Sequence, residues 1–184
     1  MWWLETSRLT RVLAALALAG LTAGCFQPMY GDSSVVPTAG LNDRLASVRV
    51  RQIVTPNGTP LARIGVGVRN ELIYNLTGGG DPATPSHTLV VSLSSTNLQV
   101  IVDITTNRPE IQNFGIDATY TLIDNATGKT VLSGQTFSRV SYDIPGQQQR
   151  FAGARGLRDA ENRASKVIAD NIRSRLASYF VAGS

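Results

Sequence analysis

Sulfur and imidazole are nearly absent from this 184-residue chain, which has one cysteine, Cys25, and one histidine, His87. No intramolecular disulfide can form, and a zinc site built from several Cys and His ligands is excluded by count. Long hydrophobic runs are absent too. Val12 to Leu21 has ten residues, well short of the roughly 20 a membrane-spanning helix needs. The Gly-x-Ser-x-Gly elbow of a serine hydrolase does not occur. Gly65-x-Gly67 lacks the third glycine of a dinucleotide fingerprint and falls inside a helical pattern. His87 follows Thr-Pro-Ser at the start of a strand pattern, where it reads as a solvent-edge residue. With so little catalytic equipment, the chain is expected not to be an enzyme and to need neither cofactor nor metal.

The first thirty residues are informative. Arg8 and Arg11 precede the apolar run, and the small residues Thr22-Ala23-Gly24 lead into Cys25. A positive region, a short apolar region and a small-residue cleavage site define a secretory signal over residues 1–24. A lone thiol placed where the signal ends resembles the lipobox of bacterial lipoproteins, although Thr22 stands where that pattern usually has Leu. The resemblance implies a diacylglyceryl group on the Cys25 sulfur and a further acyl chain on its freed amine. Two or more chains give firm membrane attachment where one gives only reversible binding.

Removing 24 of the 184 residues leaves 160, enough for one domain with a real core. The formal charge is +4, and it is regional. Arg150, Arg155, Arg158, Arg163, Lys166, Arg173 and Arg175 face only Asp159, Glu161 and Asp170 over that stretch. Such a segment suits a solvated helix face, an anionic lipid or an acidic partner. Export argues against nucleic acid.

Residues 25–43 have no period and read as a tether, with a single domain over 44–184. Leu45 to Ile53 alternates and predicts a first strand. Thr59-Pro60 starts a helix, with Thr as cap and Pro at the first position. Leu61, Ile64, Val68, Leu72 and Leu76 form its apolar face, and Gly78-Gly79-Gly80 ends it. His87 to Asp103 predicts a long second strand, and Thr105 to Pro109 a turn. Phe114, Ile116, Ala118, Tyr120 and Leu122 mark a third strand. A hairpin at Asp124 to Lys129 leads to a fourth, Thr130 to Tyr142. Leu157 to Phe180 predicts a second helix with a stripe of Leu157, Ala164, Val167, Ile168, Ile172, Leu176 and Tyr179. The order β-α-β-β-β-α implies an α+β two-layer sandwich, a largely antiparallel four-stranded sheet carrying both helices on one face.

Several stretches resemble one family. Cys25-Phe-Gln-Pro-Met-Tyr-Gly31 looks like the mature start of alphaproteobacterial lipopolysaccharide-assembly lipoproteins of the LptE type, whose usual run is Cys-Gly-Phe-x-Pro-Leu-Tyr-Gly. Here the Gly after cysteine is missing and Met29 replaces Leu. Arg69-Asn70-Glu71-Leu72, Ser141-Tyr142 and Asp159-Ala-Glu-Asn-Arg-Ala164 also match, in the right order across the mature chain. The resemblance implies a protein that sits inside the outer-membrane β-barrel LptD, helps it form, and contacts lipopolysaccharide. Lipoproteins retained at the inner membrane often carry Asp after the cysteine. Phe26 therefore points to the outer membrane, on its periplasmic side. Arg108 and Arg150, expected in a turn and just ahead of the second helix, are the candidate lipopolysaccharide ligands, with Lys129 at the opposite end. A lipid-anchored accessory subunit of an envelope ABC transporter is the alternative, followed by a lipid-anchored hydrolase.

Overall fold

The computed structural model describes residues 40–82, 84–103, 108–144 and 150–182; Cys25 and the whole of the signal lie outside them. The elements run α1 (Leu41–Ala46), β1 (Val48–Val50), α2 (Pro60–Thr77), β2 (His87–Asp103), β3 (Arg108–Asp124), β4 (Thr130–Asp143) and α3 (Arg150–Val181). The sheet order is β1-β2-β3-β4, with β1 parallel to β2 and the remaining pairs antiparallel. The fold is the expected α+β sheet carrying two long helices on one face.

The chain joins the core earlier than its pattern suggests. Leu41 and Leu45, one helical turn apart, both pack inward from α1, and Leu45 is fully buried. Ser47 ends the helix, its amide bonded to the Asp43 carbonyl at 3.0 Å and its hydroxyl to the Arg44 carbonyl at 2.7 Å. The strand expected from Leu45 therefore shrinks to Val48–Val50, where only two valines alternate inward. This helix begins inside the stretch assigned to the tether.

α2 starts as expected. Thr59 Oγ1 accepts the Ala62 amide at 3.3 Å, Pro60 fills the first turn, and Gly78 closes the helix at φ 73°. Its two internal glycines lie against neighbouring elements at ordinary contact distance. A Cβ on Gly65 would meet Ile53 and Thr55 at 3.4–3.7 Å, and one on Gly67 would meet Ser165 of α3 at 3.6 Å.

β2 and β3 pair along nearly their full 17 residues. Leu89, Val91, Phe114, Ile116, Ala118, Tyr120 and Leu122 are buried beneath the helices, while Ser92, Ser94 and Thr119 on the opposite face stay exposed. That single-sided burial is why the alternation is so clean. In the β3–β4 hairpin, the Asp124 carboxylate accepts the Ala126 amide and the Thr127 hydroxyl, both at 2.9 Å, and Gly128 takes φ 68°.

α3 is longer than the pattern from Leu157 indicates, and its buried stripe is shifted. Ala160, Ala164, Ile168, Ile172, Leu176 and Phe180 are buried, whereas Val167 is 42% exposed and Tyr179 only partly covered. The cause is α2, which covers the flank carrying Glu161, Ser165 and Ala169. Val167 lies on the other flank, roughly 100° round the helix from Ile168. Among the described residues, no helix is long and apolar enough to cross a membrane.

Candidate functional site

The sheet register decides which loops share an end. Asp103, the last residue of β2, pairs with Arg108, the first of β3, and Ile111 pairs with Asp143, the last of β4. α3 begins at Arg150. The backbones of Arg108 and Arg150 therefore lie toward one end of the sheet, and Lys129, in the β3–β4 hairpin, lies at the other. Two local expectations change. Arg108 opens a strand instead of sitting in a turn, because Pro109 biases the residue before it toward extended backbone. Arg150 is the first residue of the helix rather than ahead of it.

The helix can begin so early because its glycines meet the end of β4. A Cβ on Gly156 would approach the Asp143 carbonyl oxygen to 3.3 Å and the Tyr142 ring to 3.5 Å. Beneath this end a polar chain closes the core. Asn97 Nδ2 donates to Tyr142 Oη at 3.1 Å, and that hydroxyl donates to Gln112 Oε1 at 2.6 Å.

The opposite end is held by a second network. Ser47 Oγ and Ser86 Oγ lie 2.6 Å apart, Ser86 Oγ lies 2.8 Å from His87 Nδ1, and the His87 ring meets Phe180 edge-on at 5.2 Å. His87 is thus half-buried rather than a solvent-edge residue. Burial holds its pKa below the usual 6.5, and the nearby Asp124 carboxylate opposes that shift. Asp124 is itself lowered from 3.8, first by the Ala126 amide and then by the Thr127 hydroxyl. Arg44 Nη1 donates to the Phe180 carbonyl at 3.0 Å and ties α1 to the last turn of α3.

Cys25 to Gly31 lies outside the described residues, and the other motifs that carry the family resemblance mix core and surface positions. In Arg69-Asn70-Glu71-Leu72, Leu72 is fully buried and Arg69 approaches Asp81 at 3.6 Å. Asn70 and Glu71, with Ile73, Tyr74 and Gly79, line an open groove of about 550 Å³. In Asp159-Ala-Glu-Asn-Arg-Ala164, Asp159 pairs with Arg163 at 2.7 Å, and both alanines are buried. Glu161, 5% exposed, takes Arg63 of α2 on both carboxylate oxygens. Tyr142 belongs to the polar chain above. Leu72, Tyr142, Glu161 and the two alanines position elements, while Asn70 and Glu71 face the groove. Sequence reasoning missed the half-buried His87 because Phe180 is remote in the chain. It also missed the exposure of Phe151, which stands in a stretch rich in arginine.

This layout, a four-stranded mixed sheet with two long helices on one face, is a fold found in bacterial lipoproteins. A lipoprotein candidate from Caulobacter crescentus CB15 superposes with a TM-score of 0.61 at 22% identity, over 79% of this chain and 98% of that one. Uncharacterized lipoprotein B from Nitrosomonas europaea matches with a TM-score of 0.52 at 14% identity, over 75% and 90% of the two chains. Rare lipoprotein B from Shewanella oneidensis gives 0.50 at 15% identity, over 73% and 96%. No family model and no curated protein sequence matches the chain.

Proposed function

We propose that this chain is an outer-membrane lipoprotein, acylated on Cys25 and facing the periplasm, which plugs the β-barrel LptD, helps it assemble, and assists lipopolysaccharide transport to the outer leaflet. It acts by binding, without catalysis or cofactor. One observation carries this reading: a fold found in bacterial lipoproteins follows a signal that ends in the chain's lone cysteine. The family-like motifs support it, because Leu72 and Ala164 are buried in the core, Glu161 joins the two long helices through Arg63, and Tyr142 joins β4 to β3 through Gln112.

Affinity purification of the detergent-extracted chain tests the partner. A large outer-membrane barrel should co-purify. Recovery of an inner-membrane permease complex would instead establish the transporter-subunit reading. For lipopolysaccharide, the shared end of Arg108 and Arg150 supports a joint contact, since the arginine fork can engage two oxygens of one phosphate. Arg108→Asp and Arg150→Asp should each weaken lipopolysaccharide binding in moderate salt, and Lys129→Asp should not. Equal binding by all three and wild type would remove this site while leaving the plug role standing.

A further inference from the structure

The two edges of the sheet are built differently. At one, β4 carries Arg139, and α3 leans over the strand: Asn171 Nδ2 donates to Thr136 Oγ1 at 3.0 Å and Arg163 reaches the Ser141 carbonyl at 3.5 Å. At the other, β1 covers β2 only over His87, Thr88 and Leu89. The Ser86 carbonyl accepts the Asn125 amide on the β3 side, and the Leu89 carbonyl accepts the Arg51 amide on the β1 side. Since backbone groups alternate in direction along a strand, Val91, Leu93, Ser95 and Asn97 point their N–H and C=O groups away from β3. Among the described residues nothing bonds to those groups. Natural edge strands are blunted by charge, proline or bulges. Residues 87–102 contain no charged residue, proline or glycine, and the register with β3 shifts only after Gln99. Ser94, Ser95, Thr96, Asn97 and Leu98 are all exposed, so both faces of β2 are open there.

We infer that residues 91–97 of β2 pair antiparallel with the same stretch of a second copy of this chain, joining two four-stranded sheets into one continuous sheet about a two-fold axis. The inference goes beyond the plug reading and does not depend on it. The chemistry of the edge selects its occupant. Alternating donors and acceptors match another strand, and an uncharged row offers no cation to a phosphate or an anionic surface. Under a two-fold axis the row is its own complement, each outward residue meeting an outward residue of the partner. Serine and threonine side chains of the solvent face then lie beside their own kind, and no like charges are opposed. A second copy also brings its strand already extended in a sheet, whereas a flexible peptide must be ordered on arrival. The Arg51 amide already occupies the Leu89 carbonyl, which stops the pairing short of that residue.

Sedimentation equilibrium of the full chain in density-matched detergent, with micelles in excess over protein, reads the association. Wild type should pass from one-copy to two-copy mass as its concentration rises. Ser95→Pro removes an outward amide that serves no bond to β3, and each loss counts twice in a symmetric pair. It should weaken association at least about tenfold while the circular dichroism spectrum stays unchanged. Ser94→Lys combined with Thr96→Lys sets like charges against each other at exposed positions and should also weaken it at least about tenfold. Thr119→Lys, exposed on the same face of the interior strand β3, should stay within about twofold of wild type. Hydrogen exchange supplies the location: the amides of Leu93, Ser95 and Asn97 should exchange freely in dilute protein and slow as two-copy mass appears. A wild type that stays single at about 100 μM, where even a weak pair forms, overturns the inference. So does a pair whose edge amides remain unprotected, or an equal loss in Thr119→Lys. Undiminished association in the doubly charged variant overturns it even where Ser95→Pro misfolds. Edge amides that slow only where a β-barrel co-purifies would give the edge to that barrel and overturn the second copy as its occupant.

Discussion

Val167 and Ile168 are neighbours of almost equal hydrophobicity, and one sequence stripe contains both, yet the fold treats them differently. Ile168 is 0% exposed against the sheet and Val167 is 42% exposed on the uncovered flank. Ile168→Ala removes three carbon groups worth about 0.8 kcal/mol each, and the incompletely filled space adds to this, for a total of about 3.5 kcal/mol. Unfolding entropy near 2.1 cal/mol/K per residue over about 140 folded residues gives roughly 0.3 kcal/mol per degree, so the melting temperature should fall by about 12 °C. Val167→Ala should cost less than about 1 kcal/mol, a shift of no more than about 3 °C. Circular dichroism at 222 nm during heating reads both variants in one buffer. Ile168→Asp sharpens the contrast, because a carboxylate without a partner in that position costs several kcal/mol more and should leave the domain unfolded. Similar melting temperatures for Val167→Ala and Ile168→Ala would refute the burial of α3 described here.

Gly134→Ala puts a Cβ 2.5 Å from Tyr120 Oη and should destabilise by about 1–3 kcal/mol in urea titration, with partial recovery when Tyr120→Phe removes that oxygen. His87 gives a pH dependence: its folded pKa lies below 6.5, so its contribution is complete above about pH 6.5 and is lost as pH falls through the folded value. Denaturation midpoints should decline on acidification below about 6.5 in wild type and stay flatter in His87→Asn. Asp124, whose pKa is lowered, keeps its contribution above 3.8 and loses it only in stronger acid, which separates the two groups. Intact mass of membrane-extracted protein should show acyl chains on Cys25, and a mature chain without added lipid mass would end the lipoprotein reading.

The long elements were legible because each obeys one period over many residues. β3 is read directly from Phe114 to Leu122, and the Thr59-Pro60 start of α2 from cap chemistry alone. Short elements were not. α1 has six residues, too few for a period to declare itself, so in the sequence Leu41 reads as tether and Leu45 as strand. The flank of α3 that α2 covers was hidden as well, because it depends on Glu161 meeting Arg63 and Ser165 meeting Gly67, contacts nearly 100 residues apart. At the candidate site, the shared end of Arg108 and Arg150 follows from antiparallel pairing and was foreseeable. The exposure of Phe151 was not, since Gly153 and Gly156 weaken a helical pattern until β4 is there to explain them.

The bond from Arg44 to the Phe180 carbonyl spans 136 residues and bears on the order of assembly. The β2–β3–β4 meander closes over short separations and can form while the rest of the chain is still arriving. α1 closes later, because it packs on both long helices and its Arg44 bonds to the final turn of the last one. The first helix of the described domain therefore settles last, after the final turn of α3 has formed. A chain ending at residue 175 should keep its strand content in far-ultraviolet spectra while amides of residues 44–47 in and just after α1 exchange freely with deuterium. A domain built this way stays open at its first helix until the last helix has docked, so its two ends in sequence are the pieces that close it.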